Sequence, residues 1–224
     1  MIAEKLREVK ATLPEGVRLV AVSKYHPVEA LQEAYRAGQR VFGESHVQEL
    51  VAKEAVLPRD IEWHFIGHLQ TNKVKYLAPF VSLIHAVDSL KLLREIDRQA
   101  ERCGRPAIRC LLQLHVAREE TKFGFTPDEL RQMLDDGAWR ELRHVTLAGL
   151  MCMATNTDDE QLIASEFALA KGMFDELKAT YFPADSEFCE LSMGMSGDYP
   201  LAVQHGSTLV RIGSMIFGER DYSA

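Results

Sequence analysis

The chain has 224 residues, is 46% hydrophobic and 26% charged, and carries 26 basic against 33 acidic side chains, a net charge of −7. That is enough apolar material for an ordinary globular core, and the acidic balance argues against a nonspecific nucleic-acid surface. No apolar stretch approaches the roughly 20 residues of a membrane span, and Cys103, Cys110, Cys152 and Cys189 show no C-x-x-C spacing, so reduced thiols in a cytoplasmic protein are expected.

The opening "MIAEKLREVKATLPEG" reads as an amphipathic charged helix and not as a signal peptide. Beyond it, short apolar runs alternate with segments of helical period. Strands are expected at Arg18 to Val22, Arg40 to Phe42, Glu62 to Phe65, Leu83 to Ala86, Ile108 to Leu114, Thr146 to Leu150, Glu187 to Leu191 and Thr208 to Arg211. Helices are expected between them, at Pro27 to Ala37, Glu44 to Leu57, Leu90 to Arg102, Thr126 to Asp136 and Asp158 to Tyr181. Ser89 and the pair Thr126-Pro127 suit helix starts, Asp158 and Asp159 suit the positive end of the longest helix, and Gly104 and Gly137 fall where helices should end.

Strand–helix alternation implies parallel strands joined by right-handed crossovers. Eight units in 224 residues fit a single α/β domain, a (β/α)8 TIM barrel over residues 1–224. An open doubly wound sheet is the rival, but no G-x-G-x-x-G follows any strand. In a barrel, functional residues stand just past the strand ends, on one face. Here those positions hold Ser23 and Lys24 after the first strand, Glu44, Ser45 and His46 after the second, and His68, Gln70, Asn72 and Lys73 after the third. Met151 and Met153 follow the sixth, Ser192, Gly194, Ser196 and Gly197 the seventh, and Arg211, Gly213 and Ser214 the eighth.

Glycines and hydroxyls at the last two strand ends can make a phosphate site, because glycine lets backbone N–H groups approach an anion. The bland alternative is that Ser196 caps a helix and Gly213 makes a turn. Arg211 lies inside the apolar run "TLVRIG" and needs an anion, a carboxylate or a polar cofactor edge; an internal ion pair is its bland alternative. Lys24 is either a solvated loop lysine or an amine aimed into a site. A lysine, a phosphate corner and a buried arginine together suit an aldehyde cofactor that carries a phosphate. Pyridoxal 5′-phosphate has that chemistry, held by an imine to lysine.

"AVSKYHPVEAL", "FGESHVQEL", "WHFIGHLQTNKVKYL", "TKFGF", "LSMGMSGD" and "VRIGSMIFGERDYS" resemble the YggS/PROSC family of pyridoxal phosphate homeostasis proteins, from about Arg18 to Tyr222. The resemblance implies an alanine racemase-like N-terminal barrel of fold type III. It implies pyridoxal phosphate bound as an imine to Lys24, and a role in intracellular vitamin B6 homeostasis without established catalysis. It assigns the phosphate to Ser196, Gly213 and Ser214 and sets Arg211 against the pyridine ring. Met151 and Met193 could pack on that ring. Ser45 stands where the family usually has asparagine, and Tyr25-His26 where Thr-Lys is common.

The competing enzyme reading is an amino-acid racemase, which needs an acid/base group on each face of the bound substrate. Lys24 supplies one; Tyr25, Tyr199 and Tyr222 are the tyrosines near strand ends or the C-terminus, and packing is their bland reading. The chain stops soon after the barrel, so no C-terminal β-domain is expected, and with it a monomer. Apo forms of pyridoxal phosphate enzymes are the candidate partners. "GMSGD" misses G-x-S-x-G, no H-E-x-x-H exists, and the eight scattered histidines read as structural, so neither serine hydrolysis nor a metal site is expected. Lys73 and Lys75 read as a solvated helix face.

Overall fold

Eight strands pair in sequence order, all parallel, and the eighth returns to the first. The computed structural model describes residues 1–119 and 123–218; the start of "TKFGF" and the terminal stretch with Tyr222 lie outside them. The strands are β1 (Arg18–Val22), β2 (Val41–Glu44), β3 (Glu62–Phe65), β4 (Leu83–Val87), β5 (Ile108–Gln113), β6 (Val145–Met151), β7 (Glu190–Met195) and β8 (Leu209–Ile212). The helices around them are α1 (Ile2–Thr12), α2 (Val28–Arg36), α3 (Val47–Glu54), α4 (Val74–Leu77), α5 (Leu90–Arg102), α6 (Pro127–Asp135), α7 (Glu160–Tyr181), α8 (Tyr199–Gln204) and α9 (Ser214–Phe217). The (β/α)8 barrel expected from the alternation is the fold.

Local signals act as their chemistry requires. Ser89 Oγ accepts from the Leu92 N–H at the start of α5, and Thr126 and Glu129 form a reciprocal capping box at α6. At α7 it is Asp159, not Asp158, that accepts from the Gln161 and Leu162 N–H groups.

The barrel buries two apolar layers. The larger lies between strands and helices and includes Leu31, Phe42, Leu50, Phe65, Phe167 and Phe188. The smaller fills the barrel interior with Val20, Leu83, Leu111, Ala148, Met151 and Leu209. Below it, an ionic floor closes the N-terminal end. Arg18 binds Glu62 at 2.7 Å and Glu190 at 3.4 Å, and Arg109 reaches Glu190 at 3.5 Å. The floor is structural, since the C-terminal ends of the strands open on the opposite face.

Most boundaries differ from the sequence-based expectation by a few residues, and two of the differences matter for the site. β7 begins at Glu190 and runs on to Met195, so Ser192 and Gly194 are strand residues and not loop residues. α3 begins at Val47, which leaves Glu44 as the last residue of β2.

Candidate functional site at the barrel mouth

Lys24 stands two residues past β1, half-buried in a tight turn. Alternation along β1 points Val20 inward and Ala21 outward, and Lys24 follows in the turn just past the strand's C-terminal end, on the face where barrel sites stand. Its successor, Tyr25, has φ of +66°, the one positive value for a non-glycine among the described residues. That conformation costs on the order of 1–3 kcal/mol and persists only where neighbours hold it. The Tyr25 N–H donates to Glu49 Oε1 at 2.6 Å, and the His26 N–H to the Ser23 carbonyl at 3.1 Å.

The corner after β7 and β8 closes on the same turn. The Gly213 N–H donates to Ser196 Oγ at 3.3 Å. Ser196 therefore does not cap α8, whose N-cap is Asp198 with no side-chain cap bond. Gly213 does more than turn the chain: a Cβ there would sit 3.0 Å from the Val22 carbonyl oxygen, so the corner lies flat against β1 just before Lys24. The His26 ring stacks on Phe217 of α9, with centroids 5.1 Å apart, a second clasp between the two loops. Ser214 opens α9 and is exposed. On the other side of β1, β2 pairs in the register Val22 to Gly43, and Ser45 follows directly after β2.

Arg211 is 4% exposed on β8. Its Nη1 donates to Ser192 Oγ at 2.6 Å and its Nη2 to the Cys152 carbonyl at 2.9 Å. Among the described residues no carboxylate pairs with it; its partners there are a hydroxyl and a carbonyl. Burial pulls its pKa below the ordinary guanidinium value, and Cys152 and then Asp198 oppose that more weakly. A cation in this state calls for an anion or an electron-rich edge to complete it.

Ser192 continues into a buried chain. His85 Nδ1 lies 2.9 Å from Ser192 Oγ, and His85 Nε2 lies 2.9 Å from His64 Nδ1. Burial holds His64 down to about 3 and His85 well below its ordinary value, so both rings are neutral. Arginine only donates, so Ser192 Oγ accepts from it. His64 and His85 are structural, as the sequence suggested, but their task is to anchor Ser192 beneath Arg211.

The methionines divide. Met151 lies in the interior cluster, in register with Ser192. Met193 belongs to the outer layer, because it alternates with the inward-facing Ser192; it is turned from the mouth and cannot flank a ring there. Met195 is 41% exposed and, with Met153, Thr155, Asn156, Gly197 and Asp198, lines a cavity of about 400 Å³ beside Ser196. Buried Glu166 of α7 holds the rim of that cavity, accepting from the Thr155 N–H at 2.7 Å and from its Oγ1 at 2.6 Å.

The structure thus gathers Lys24, Ser45, Met151, Ser196, Arg211, Gly213 and Ser214 at one mouth. A lysine amine, a corner of backbone N–H and hydroxyl groups, and a buried cation with no carboxylate partner among the described residues are the donor set that pyridoxal phosphate needs, so these residues fit that group.

The alanine racemase, N-terminal domain, family matches residues 1–221 of the chain. A pyridoxal phosphate homeostasis protein of Vibrio alginolyticus is 40% identical over 215 residues, covering 94% of this chain and 89% of the relative. PipY of Synechococcus elongatus, solved with PLP bound, superposes with a TM-score of 0.87 at 40% identity, over 97% of this chain and 100% of that one. An alanine racemase of Clostridium difficile shares the fold at 13% identity and a TM-score of 0.76, and this chain covers 57% of it. On these likenesses and on the geometry of the barrel, the chain belongs to the pyridoxal phosphate homeostasis proteins, the YggS/PROSC family, within the alanine racemase N-terminal domain family.

Proposed function

We propose that this chain binds pyridoxal 5′-phosphate at the barrel mouth and serves its intracellular homeostasis, holding and releasing the cofactor rather than turning over a substrate. The observation that carries this reading is Arg211, a buried cation whose partners within the described fold are a hydroxyl and a carbonyl. When bound, pyridoxal phosphate supplies an aldehyde that takes up an amine and a conjugated ring that can withdraw electrons.

Lys24 is the attachment point for that aldehyde. Ser196, Gly213 and Ser214 hold the phosphate. Arg211 would meet the ring, and Met151 and Ser45 would border it. An arginine gives hydrogen bonds but no proton, so it does not favour a protonated ring nitrogen, and the electron withdrawal that drives catalysis stays weak.

A racemase reading finds no ready second acid/base group among the described residues. The Tyr25 hydroxyl lies 3.3 Å from His46 Nε2, and the Tyr199 hydroxyl is 2.9 Å from Thr12 Oγ1, away from the mouth. Met193 has no place in the site. Apo forms of pyridoxal phosphate enzymes are the partners this role implies, and the protein acts as a monomer in the cytoplasm. Incubation of the cofactor-loaded protein with L-alanine in deuterated water tests the role. Alanine that keeps its Cα proton over hours supports a carrier; rapid deuteration or racemisation overturns it.

A further inference from the structure

Beneath the Lys24 turn lies a buried ionic cluster that the cofactor reading does not use. Lys53 of α3 is 5% exposed, and its Nζ reaches three oxygens: the Ser23 carbonyl at 2.8 Å, Glu44 Oε1 at 2.8 Å and Glu49 Oε1 at 2.7 Å. An ammonium group has three protons, so this cation is fully committed and is itself no nucleophile. Each oxygen it holds is tied to the turn. Glu44 Oε1 also accepts from Ser23 Oγ at 2.6 Å. Glu49 Oε1 also accepts the N–H of Tyr25, the residue with the left-handed backbone. The Ser23 carbonyl accepts the His26 N–H as well. The residues on either side of Lys24 are therefore clamped to α3 through one ammonium and two carboxylates.

A surface ion pair of this spacing would contribute little. This one is buried, and Glu44 is fully so, with its second oxygen lacking a hydrogen-bond partner among the described residues. Burial raises the Glu44 pKa above its ordinary value, and Lys53 works against that. Removing one partner from such a group leaves an uncompensated charge, so the arrangement is maintained as a unit.

We propose that Lys53 and Glu49 are positioning residues: they hold the Ser23–Tyr25 turn in its strained form and so aim the Lys24 amine over the barrel mouth. This rests on Lys24 being the attachment point. The clamp acts on the turn before cofactor arrives, and its loss lowers cofactor affinity by leaving Lys24 in competing orientations. Glu49 is the tractable member, since it lies on a half-buried helix face.

The test titrates pyridoxal phosphate into the full-length apo-protein and reads visible absorbance, with circular dichroism and a melting curve on each variant. Glu49→Ala removes the acceptor for the Tyr25 N–H, and affinity falls about tenfold or more, the scale of one charge-assisted hydrogen bond. Glu49→Gln keeps an acceptor oxygen and restores affinity to within about threefold of wild type, on the same scale. Lys53→Met lowers affinity at least as far as Glu49→Ala, if its melting curve shows that it folds. Equal affinity of Glu49→Ala and wild type overturns the proposal, as does a loss in Glu49→Gln as large as in Glu49→Ala. Lys24→Ala run alongside separates the two claims. If it keeps the full visible band, the attachment point is wrong; if it loses the band while Glu49→Ala binds normally, only the clamp is wrong.

Discussion

Replacing Arg211 with methionine separates a cofactor arginine from a structural one. Had Arg211 belonged to a structural ion pair, its removal would strand a buried carboxylate and cost about 3–5 kcal/mol. Its partners are instead Ser192 Oγ and the Cys152 carbonyl. Ser192 keeps His85 at 2.9 Å, so the loss falls on one carbonyl and amounts to roughly 1–3 kcal/mol. Against it stands relief from burying a cation that has no carboxylate partner among the described residues, an effective penalty of several kcal/mol. Methionine also fills the space of the aliphatic stem. The balance is an apo-protein unchanged or stabilised by up to about 3 kcal/mol, a rise of up to roughly 10 °C in Tm for a chain of this size. Cofactor affinity moves the other way, down by about tenfold or more, because the bound ring loses a charged donor. Thermal unfolding of cofactor-free Arg211→Met, followed by titration with pyridoxal phosphate, reads both. A Tm lowered by about 6–12 °C with affinity intact would refute the reasoning, since it would mean that the fold itself uses the charge.

Stability should also depend on pH through the buried histidines. His64 and His85 are neutral in the native barrel and take a proton on unfolding below about 6.5. The unfolded state then binds more protons, so each ring contributes stability that is complete above 6.5 and is lost as pH falls, for His64 down to about 3. The slope is about 1.4 kcal/mol per pH unit per ring. Urea unfolding of wild type and His64→Gln between pH 7 and pH 5 isolates the His64 share, and equal slopes would contradict it. Gly149→Ala is expected to be severe. With φ of +143°, a Cβ there would lie 1.8 Å from the Glu190 carbonyl oxygen across the β6–β7 pairing. Overpacking and backbone strain together cost about 3 kcal/mol or more, visible as a lower urea midpoint, and an unchanged midpoint would contradict the register.

The barrel was legible because strands buried on both faces read as short apolar runs, and proline, serine and glycine punctuate the helices between them. β1 and β3 start and stop at the residues expected of them. β7 was misplaced for a physical reason. Its inward face carries Ser192, which serves Arg211, so the polar residue and Gly194 looked like the end of a strand. The same slip left Met193 with its side chain on the wrong face, since a period-2 element reverses every assignment when its frame is lost. The site's outline followed from the strand-end rule and from family motifs. What stayed hidden was the support beneath it. Lys53 stands three residues past the buried Leu50 and four past Glu49, a spacing that hinted at a pair on the core side of α3. No local pattern could show that both reach back to Ser23 and Tyr25. His85 and Ser192 are 107 residues apart and meet only through barrel closure.

The most direct test of the account is to fix the cofactor where it binds. The purified protein is loaded with pyridoxal phosphate, reduced with borohydride to make the lysine linkage permanent, digested and mapped by mass spectrometry. The account predicts the phosphopyridoxyl mass on the peptide carrying Lys24, and no comparable labelling in Lys24→Ala. Stoichiometric labelling at another lysine, with Lys24 unmodified, would contradict it.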